Sequence, residues 1–259
     1  MGYQPGFRYA SSRLFYKVKM KLEHLPKIGM AYWITLIIAS ILGANTGDFL
    51  AGILGFGHVA GLPILIAAFL AIVIAEKFDA RKHFIYFWLA IIVVRTAATN
   101  IGDIGHDLHI NALVVMAILA AVLIVTLLVW KKSIDSANAD SYTLAAHPLY
   151  WWTMLVAGAL GTVIGDYFSF GLHLGNLIAA CVLGVVVAGF LFFGRNGKLF
   201  QLAYYWATVV CIRSAGTAAG DFFAHKVFTL ASSTAIFGII FVLALIILRE
   251  RPLNSRSAL

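Results

Sequence analysis

The chain has 259 residues, of which 62% are hydrophobic and only 12% are charged, and its mean hydropathy is +0.93. A soluble domain carries about twice this charged fraction, so the composition excludes a soluble globular protein and predicts an integral membrane protein. The net charge of +8 comes from Lys and Arg residues in short polar breaks between apolar runs. That distribution is typical of the positive-inside bias of membrane proteins, and it excludes a nucleic-acid partner.

The N-terminal segment, residues 1–28, alternates aromatic and basic side chains and is predicted to be a cytoplasmic, amphipathic stretch on the membrane surface. Apolar runs of about 20 residues, the length that crosses a bilayer as a helix, then follow in chain order. Lipid offers no partner to unpaired backbone groups, so the predicted fold class is all-α integral membrane with eight transmembrane helices. The predicted spans are 29–49, 57–75, 84–104, 110–130, 149–167, 172–193, 202–222 and 228–248.

A tryptophan precedes an aspartate by 15 residues at four points along the chain, and a glycine directly precedes each of these aspartates. The four motifs are Trp33…Gly47-Asp48, Trp88…Gly102-Asp103, Trp151…Gly165-Asp166 and Trp206…Gly220-Asp221. We interpret them as four tandem units of two spans each. Every unit then enters the membrane in the same direction, so the four are parallel repeats around an axis along the membrane normal.

The aspartates are separated by 55, 63 and 55 residues, which indicates two similar halves joined by a longer linker. Lys and Arg follow the even-numbered spans, so we expect cytoplasmic termini, outward-facing Gly-Asp pairs and a multi-pass location in the inner cell membrane. The predicted organisation is a basic segment (1–28), a first half (29–132), a polar linker (133–148), a second half (149–250) and a cytoplasmic tail (251–259).

These four Trp…Gly-Asp units resemble a bacterial family of integral membrane proteins built from four tandem repeats of unknown function, the domain-of-unknown-function 347 type. Each repeat of that family has two transmembrane segments and a characteristic tryptophan. The resemblance extends over about residues 30–250. It implies the fold and the number of repeats, and it supplies no activity, so function must be argued from the residues.

Charged side chains inside the spans are costly in lipid and therefore indicate a functional site. If each tryptophan lies in the aromatic belt at the membrane surface, the aspartates lie about 22 Å further along their helices, beneath the opposite surface. An Arg-Thr-Asp stripe with a spacing of four residues occupies one helix face in the second and fourth units. The predicted substrate-binding residues are Asp48, Asp103, Asp166, Asp221, Arg95, Arg213, Thr99 and Thr217.

Histidines follow the aspartates in the outward turns, and carboxylate with imidazole suits both a metal ion and a proton path. Four aspartates and two arginines leave a formal charge of −2, which a divalent cation or two protons would cancel. A divalent metal ion is therefore the candidate cofactor or substrate, with Asp103, Asp221, His106 and His225 as its predicted ligands.

The leading hypothesis is a membrane transporter of a small solute or ion, in the first instance a divalent metal cation coupled to protons. The alternatives are a membrane-embedded metal-dependent enzyme, a non-transporting sensor or assembly protein, and an anion carrier that uses Arg95 and Arg213. The aspartates could instead serve only as helix caps. No catalytic residue is predicted, and an enzyme is the less favoured class. The expected partners are the lipid bilayer and a small ion or solute, and a homo-oligomer is left open.

Overall fold

The computed structural model describes residues 28–79, 84–136, 149–194 and 201–249, and these residues form eight α-helices and no strand. The prediction of an all-α fold is therefore confirmed. The helices are α1 (Met30–Asp48), α2 (His58–Phe78), α3 (Ile85–Asp107), α4 (Ala112–Ser136), α5 (Leu149–Asp166), α6 (Gly175–Phe193), α7 (Leu202–Phe222) and α8 (Leu230–Arg249). Three of them continue directly into a five-residue π-helical turn: Phe49–Ile53 after α1, Tyr167–Gly171 after α5 and Phe223–Val227 after α7.

Seven of these eight helices are long and apolar enough to cross a membrane, and the exception among the described residues is α7. Helix α7 has 21 residues, a sufficient length, but it carries Arg213 and Asp221 within its sequence. It packs against α1, α5 and α6, so protein rather than lipid surrounds much of its polar surface. The chain is thus a multi-pass membrane protein by the length and composition of its helices.

The odd-numbered helices form the interior of the molecule. Helix α1 contacts α3, α3 contacts α5, α5 contacts α7, and α7 returns to α1, so the four close into a ring. Each even-numbered helix lies outside and packs mainly against the ring helix of the next unit: α2 against α3, α4 against α5, α6 against α7, and α8 against α1. The outer helices α2, α4, α6 and α8 leave most of their apolar side chains exposed, as a lipid-facing surface requires.

The ring helices all run in the same direction. Aromatic residues near their N-termini contact one another at one end of the ring, and the aspartates near their C-termini line a single cavity at the other end. We call these the aromatic end and the aspartate end.

Glycines let the ring helices approach closely. A Cβ atom built on the glycine before each of the first three aspartates would lie 2.9 Å from the Cβ of a threonine on the next ring helix. The pairs are Gly47 with Thr99, Gly102 with Thr162, and Gly165 with Thr217. Such a distance is too short for two carbon atoms, so the glycine of the Gly-Asp pair is a helix-packing residue.

Three of the four unit tryptophans lie in the protein interior at the aromatic end, and the fourth, Trp151, is partly buried. Trp33, Trp88 and Trp206 are at most 2% exposed, so their predicted location in a lipid-facing aromatic belt was wrong. The physical reason is that each indole packs on an aromatic ring of the preceding ring helix, with centroids 5.5–5.7 Å apart, which is a favourable separation for aromatic pairs. The pairs are Trp33 with Tyr205, Trp88 with Tyr32, Trp151 with Phe87, and Trp206 with Tyr150.

The described residues test only part of the predicted domain organisation. Helix α4 continues to Ser136 and so enters the range 133–148 that was assigned to the polar linker. The rest of that linker, nearly all of the N-terminal basic segment and the tail 251–259 lie outside the described residues. The division into two halves stays a prediction.

Candidate functional site

The four unit aspartates line one cavity of about 650 Å³ at the aspartate end of the ring. They meet because each lies at or near the C-terminal end of a ring helix, and the four ring helices run in the same direction. One turn earlier on the same helix faces lie Thr99, Thr162, Thr217 and Ala44, which also line the cavity. Asp107 and Phe170, which contribute to its wall, are both more than half exposed, so the cavity opens at this end.

Helix capping does not explain the aspartates within the described part of the chain. Asp48 and Asp166 lie directly before π-helical turns and make no side-chain cap hydrogen bond. Helix α2 begins ten residues after Asp48, and its N-cap position is Gly57. Two other side chains cap second helices: Asn111 accepts from the Leu113 backbone N–H at 2.9 Å at the start of α4, and Thr229 accepts from the Ser232 backbone N–H at 3.3 Å at the start of α8.

The floor of the cavity is formed by threonines that hold Arg95. Its Nη1 donates to the hydroxyls of Thr99 and Thr162, both at 2.8 Å, and its Nη2 donates to Thr217 at 2.6 Å. The side chain is 1% exposed. The stem of Arg95 packs against Gly43 on the neighbouring helix, which gives the long side chain room inside the ring. The guanidinium therefore points from mid-helix towards the aspartate end.

Arg213 occupies the equivalent position in the fourth unit, and its stem likewise packs against a glycine, Gly161. Its guanidinium nevertheless points the other way, because Nη2 contacts the Sδ of Met154 at 3.3 Å, one turn nearer the aromatic end. Arg213 is fully buried, and its Nε and Nη1 have no hydrogen-bond partner among the described residues. The two arginines thus face opposite ends of the ring.

Three tyrosine hydroxyls meet on the axis at the aromatic end. The Tyr32 and Tyr205 oxygens are 2.6 Å apart, those of Tyr150 and Tyr205 are 3.2 Å apart, and those of Tyr32 and Tyr150 are 3.5 Å apart. All three side chains are buried, so this cluster seals the ring. The sequence signal that could have found them is their position, since each directly precedes a unit tryptophan, whereas the second unit has Phe87 there.

A histidine from the first unit reaches the aspartate of the second at the rim. His58 Nδ1 lies 3.6 Å from Asp103 Oδ2, and His58 Nε2 lies 3.9 Å from Asp107 Oδ2. His106 and His225 also line the cavity. The pairing of His58 with Asp103 was missed because the sequence favoured His106, the nearest histidine along the chain, whereas α2 packs on α3 rather than on its own unit.

The predicted metal ligands all line the cavity, but they do not converge. Among the described residues, no group of three or more His, Cys, Asp or Glu side chains is close enough to hold a metal ion directly. Any cation bound here would therefore keep other ligands, such as water, in most of its coordination positions.

Of the eight predicted substrate-binding residues, the structure brings six to the wall of one cavity: Asp48, Asp103, Asp166, Asp221, Thr99 and Thr217. Arg95 lies directly beneath the wall, and Arg213 faces the aromatic end. Thr162 is a further wall residue and occupies the same position before Asp166 as Thr99 does before Asp103.

Residues 31–81 and 204–251 match the family model described as Repeat of Unknown Function (DUF347). The chain therefore carries this repeat at its first unit, α1 and α2, and at its fourth, α7 and α8, and the predicted resemblance is confirmed there. No curated protein and no solved structure shows significant similarity to the chain.

Proposed function

We propose that the protein is a membrane transporter that binds a small cation in the aspartate-lined cavity. The observation that carries the proposal is that four carboxylates line one cavity of about 650 Å³, which opens at one end of a helical ring. Carboxylates inside a membrane protein are costly unless they meet a cation, a proton or water. A cavity with four of them favours a positively charged ligand.

The hydrogen bonds of the floor favour a cation over an anion. The hydroxyls of Thr99, Thr162 and Thr217 donate to backbone carbonyls of their own helices at 3.2–3.3 Å, so they present only lone pairs to other groups. Both Nη atoms of Arg95 donate hydrogen bonds to these hydroxyls. An anion that entered the cavity would meet four carboxylates and few free donors, which argues against the anion carrier.

Polar groups along the whole axis favour transport over binding alone. Beneath the cavity follow the Arg95 layer, the Arg213 guanidinium and the tyrosine hydroxyls, which reach the opposite end of the ring. A protein that only bound a partner through its apolar surface would have no need of a buried polar axis. We propose that the aspartate end faces outward, that the termini are cytoplasmic, and that the four Trp…Gly-Asp units form a parallel repeat.

A hydrated divalent metal cation is the substrate we propose first, with protons as the coupling ion. The cavity is wide enough for an ion that keeps its inner water shell, as Mg²⁺-like ions prefer. Four neighbouring carboxylates repel one another, so protons take the place of the metal when it leaves.

The test is uptake of Mn²⁺ into proteoliposomes that contain the full chain, driven by a pH gradient. The double variant Asp103→Asn plus Asp221→Asn should lower the initial rate by about tenfold or more, because it removes two of the four charges that attract the ion. Asp79→Asn is the matched control. Its carboxylate lies just after the C-terminus of α2, at the opposite end of the molecule from the cavity, and accepts from the Tyr86 hydroxyl at 3.0 Å, so the rate should change by less than about twofold.

Unchanged Mn²⁺ uptake in the double variant would show that the aspartates are not the substrate site. A folded, wild-type protein that binds Mn²⁺ but never moves it across the bilayer would favour the sensor alternative. If the double variant does not fold, the pair Asp48→Asn plus Asp166→Asn removes the same charge from the other two ring helices and is assayed in its place.

A further inference from the structure

Arg95 lies beneath the carboxylates of the cavity and is separated from solvent by its threonine cage. Its guanidinium reaches the level of Thr99, one helical turn and so about 6 Å below the aspartates. All four aspartates act on it electrostatically. The cavity therefore contains a permanent positive charge at its base, supplied by the protein itself.

The three threonines fix the direction of the Arg95 side chain and favour a guanidinium over an ammonium group. Because each threonine hydroxyl gives its proton to its own helix, its lone pairs are left for Arg95. Three hydroxyls on three different helices match the fork of N–H donors that a guanidinium presents and a lysine ammonium does not. Arg95 is consequently tied to α3, α5 and α7 at once, and its charge cannot swing out of the cavity without breaking three hydrogen bonds.

Differences between the units explain why Arg95 alone takes this direction. On α1, the remaining ring helix, the position equivalent to these threonines is Ala44. Arg213 turned towards the aspartates would therefore lack a hydroxyl that Arg95 has in Thr162. At the aromatic end Arg213 has the hydroxyl that Arg95 lacks. The helix of Arg213 carries Tyr205 there, whereas the helix of Arg95 carries Phe87.

We propose that Arg95 is a specificity-determining residue, a fixed internal cation that competes with the transported cation for the four carboxylates. The inference rests on the proposed function. Since Arg213 faces away, the formal charge at the cavity is that of four aspartates and one arginine, −3 rather than −2. Arg95 lowers the affinity of the site for cations, which lets a bound ion leave.

The two arginines differ in distance from the aspartates, and this gives a matched pair of variants. The Arg95 guanidinium lies about one helical turn from them, and that of Arg213, at the level of Met154, lies about three turns away. Coulomb energy falls with distance. Loss of the Arg95 charge should therefore tighten Mn²⁺ binding by about 10-fold to 100-fold, and loss of the Arg213 charge by less than about 5-fold.

The experiment measures Mn²⁺ binding to the purified full chain by electron paramagnetic resonance, in wild type, Arg95→Gln, Arg213→Gln and Arg95→Lys. Arg95→Gln should lower the dissociation constant as stated and slow Mn²⁺ release in the proteoliposome assay. Arg95→Lys keeps the charge but cannot reach all three hydroxyls in the same geometry, so it should tighten Mn²⁺ binding by less than Arg95→Gln does. Arg95→Met is a second neutral variant, in case the glutamine variant does not fold.

Equal dissociation constants for wild type and a folded neutral variant of Arg95 would overturn the inference, and so would equal tightening by Arg95→Gln and Arg213→Gln. The proposed function fails separately, if Asp103→Asn plus Asp221→Asn binds Mn²⁺ as wild type does. If the aspartate variant loses Mn²⁺ binding and Arg95→Gln binds Mn²⁺ as wild type does, the cavity remains the cation site and only the role of Arg95 is disproved.

Discussion

Two buried asparagines occupy the same position in neighbouring units, three residues before the aspartate, yet they differ in their partners. Asn45 Nδ2 donates to the Ser233 hydroxyl at 2.7 Å, and α8 supplies that serine. Asn100 faces α2, which carries Gly61 at the position equivalent to Ser233, and neither its Nδ2 nor its Oδ1 has a hydrogen-bond partner among the described residues. A single missing hydroxyl thus separates an amide whose nitrogen is hydrogen-bonded from one whose nitrogen is not, while the amide oxygen has no partner among the described residues in either case.

Exchanging Gly61 and Ser233 tests whether this hydroxyl stabilises the neighbouring asparagine. Gly61→Ser should raise the free energy of unfolding by about 0.5–1 kcal/mol, because it supplies a hydroxyl to a buried amide and removes a helix glycine. The new Cβ would lie 3.0 Å from Asn100 Nδ2, an amide that can shift slightly. Ser233→Gly, the reciprocal change, should lower it by about 1–2 kcal/mol. The measurement is unfolding by SDS in mixed micelles, and a loss of stability in Gly61→Ser would contradict the account.

The ring helices have glycines where they cross, whereas Gly184 and Gly189 of the outer helix α6 have open space around them. A Cβ on Gly161 of α5 would collide with the Cβ of Arg213 and lie 3.1 Å from the Ser214 backbone nitrogen on α7. A Cβ on Gly184 of α6 would meet nothing within 4 Å. The two glycines are equally helical, so a comparison of them isolates the close approach of two ring helices.

Gly161→Ala should therefore lower the free energy of unfolding by about 1–3 kcal/mol, because the extra methyl group forces α5 and α7 apart. Gly184→Ala, the control, should leave stability unchanged or raise it by up to about 1 kcal/mol through helix propensity. Unfolding by SDS followed by circular dichroism measures both. Equal effects of the two substitutions would mean that the ring does not depend on this contact.

The constant spacing of Trp and Gly-Asp was sufficient to predict which residues share a level of the ring. It selected four aspartates that line one cavity, and the apolar runs predicted the helix ends to within three residues except for α4, which continues six residues beyond its predicted end. The spacing does not reveal the direction of Arg95 and Arg213, because that direction depends on hydroxyls such as Thr162 and Tyr205 on other helices. The interior location of Trp88 was missed for the same reason, since its aromatic partner belongs to the preceding unit.

The packing of each outer helix against the next unit ties the whole molecule into a cycle. Helix α4 of the first half packs on α5 of the second, and α8 of the second half packs on α1 of the first. Each half alone, α1–α4 or α5–α8, would therefore leave one outer helix without its partner and two ring helices with an open side. The only outer helix that keeps its ring partner is α2, which packs on α3, in the first half, and α6, which packs on α7, in the second.

A chain divided between the halves should consequently assemble only when both parts are present. With a break after residue 140, between α4 and α5, co-expressed halves should copurify as a one-to-one complex and recover Mn²⁺ uptake to within about threefold of the intact chain, because the interfaces between halves are those of the closed ring. Each half expressed alone should be degraded or form dimers in which a second copy covers α4 or α8. The measurement is copurification through a tag on one half, with uptake assayed in proteoliposomes. Halves that are stable and monomeric by themselves would show that the cyclic packing contributes little to folding, and the ring would then be two independent bundles placed side by side.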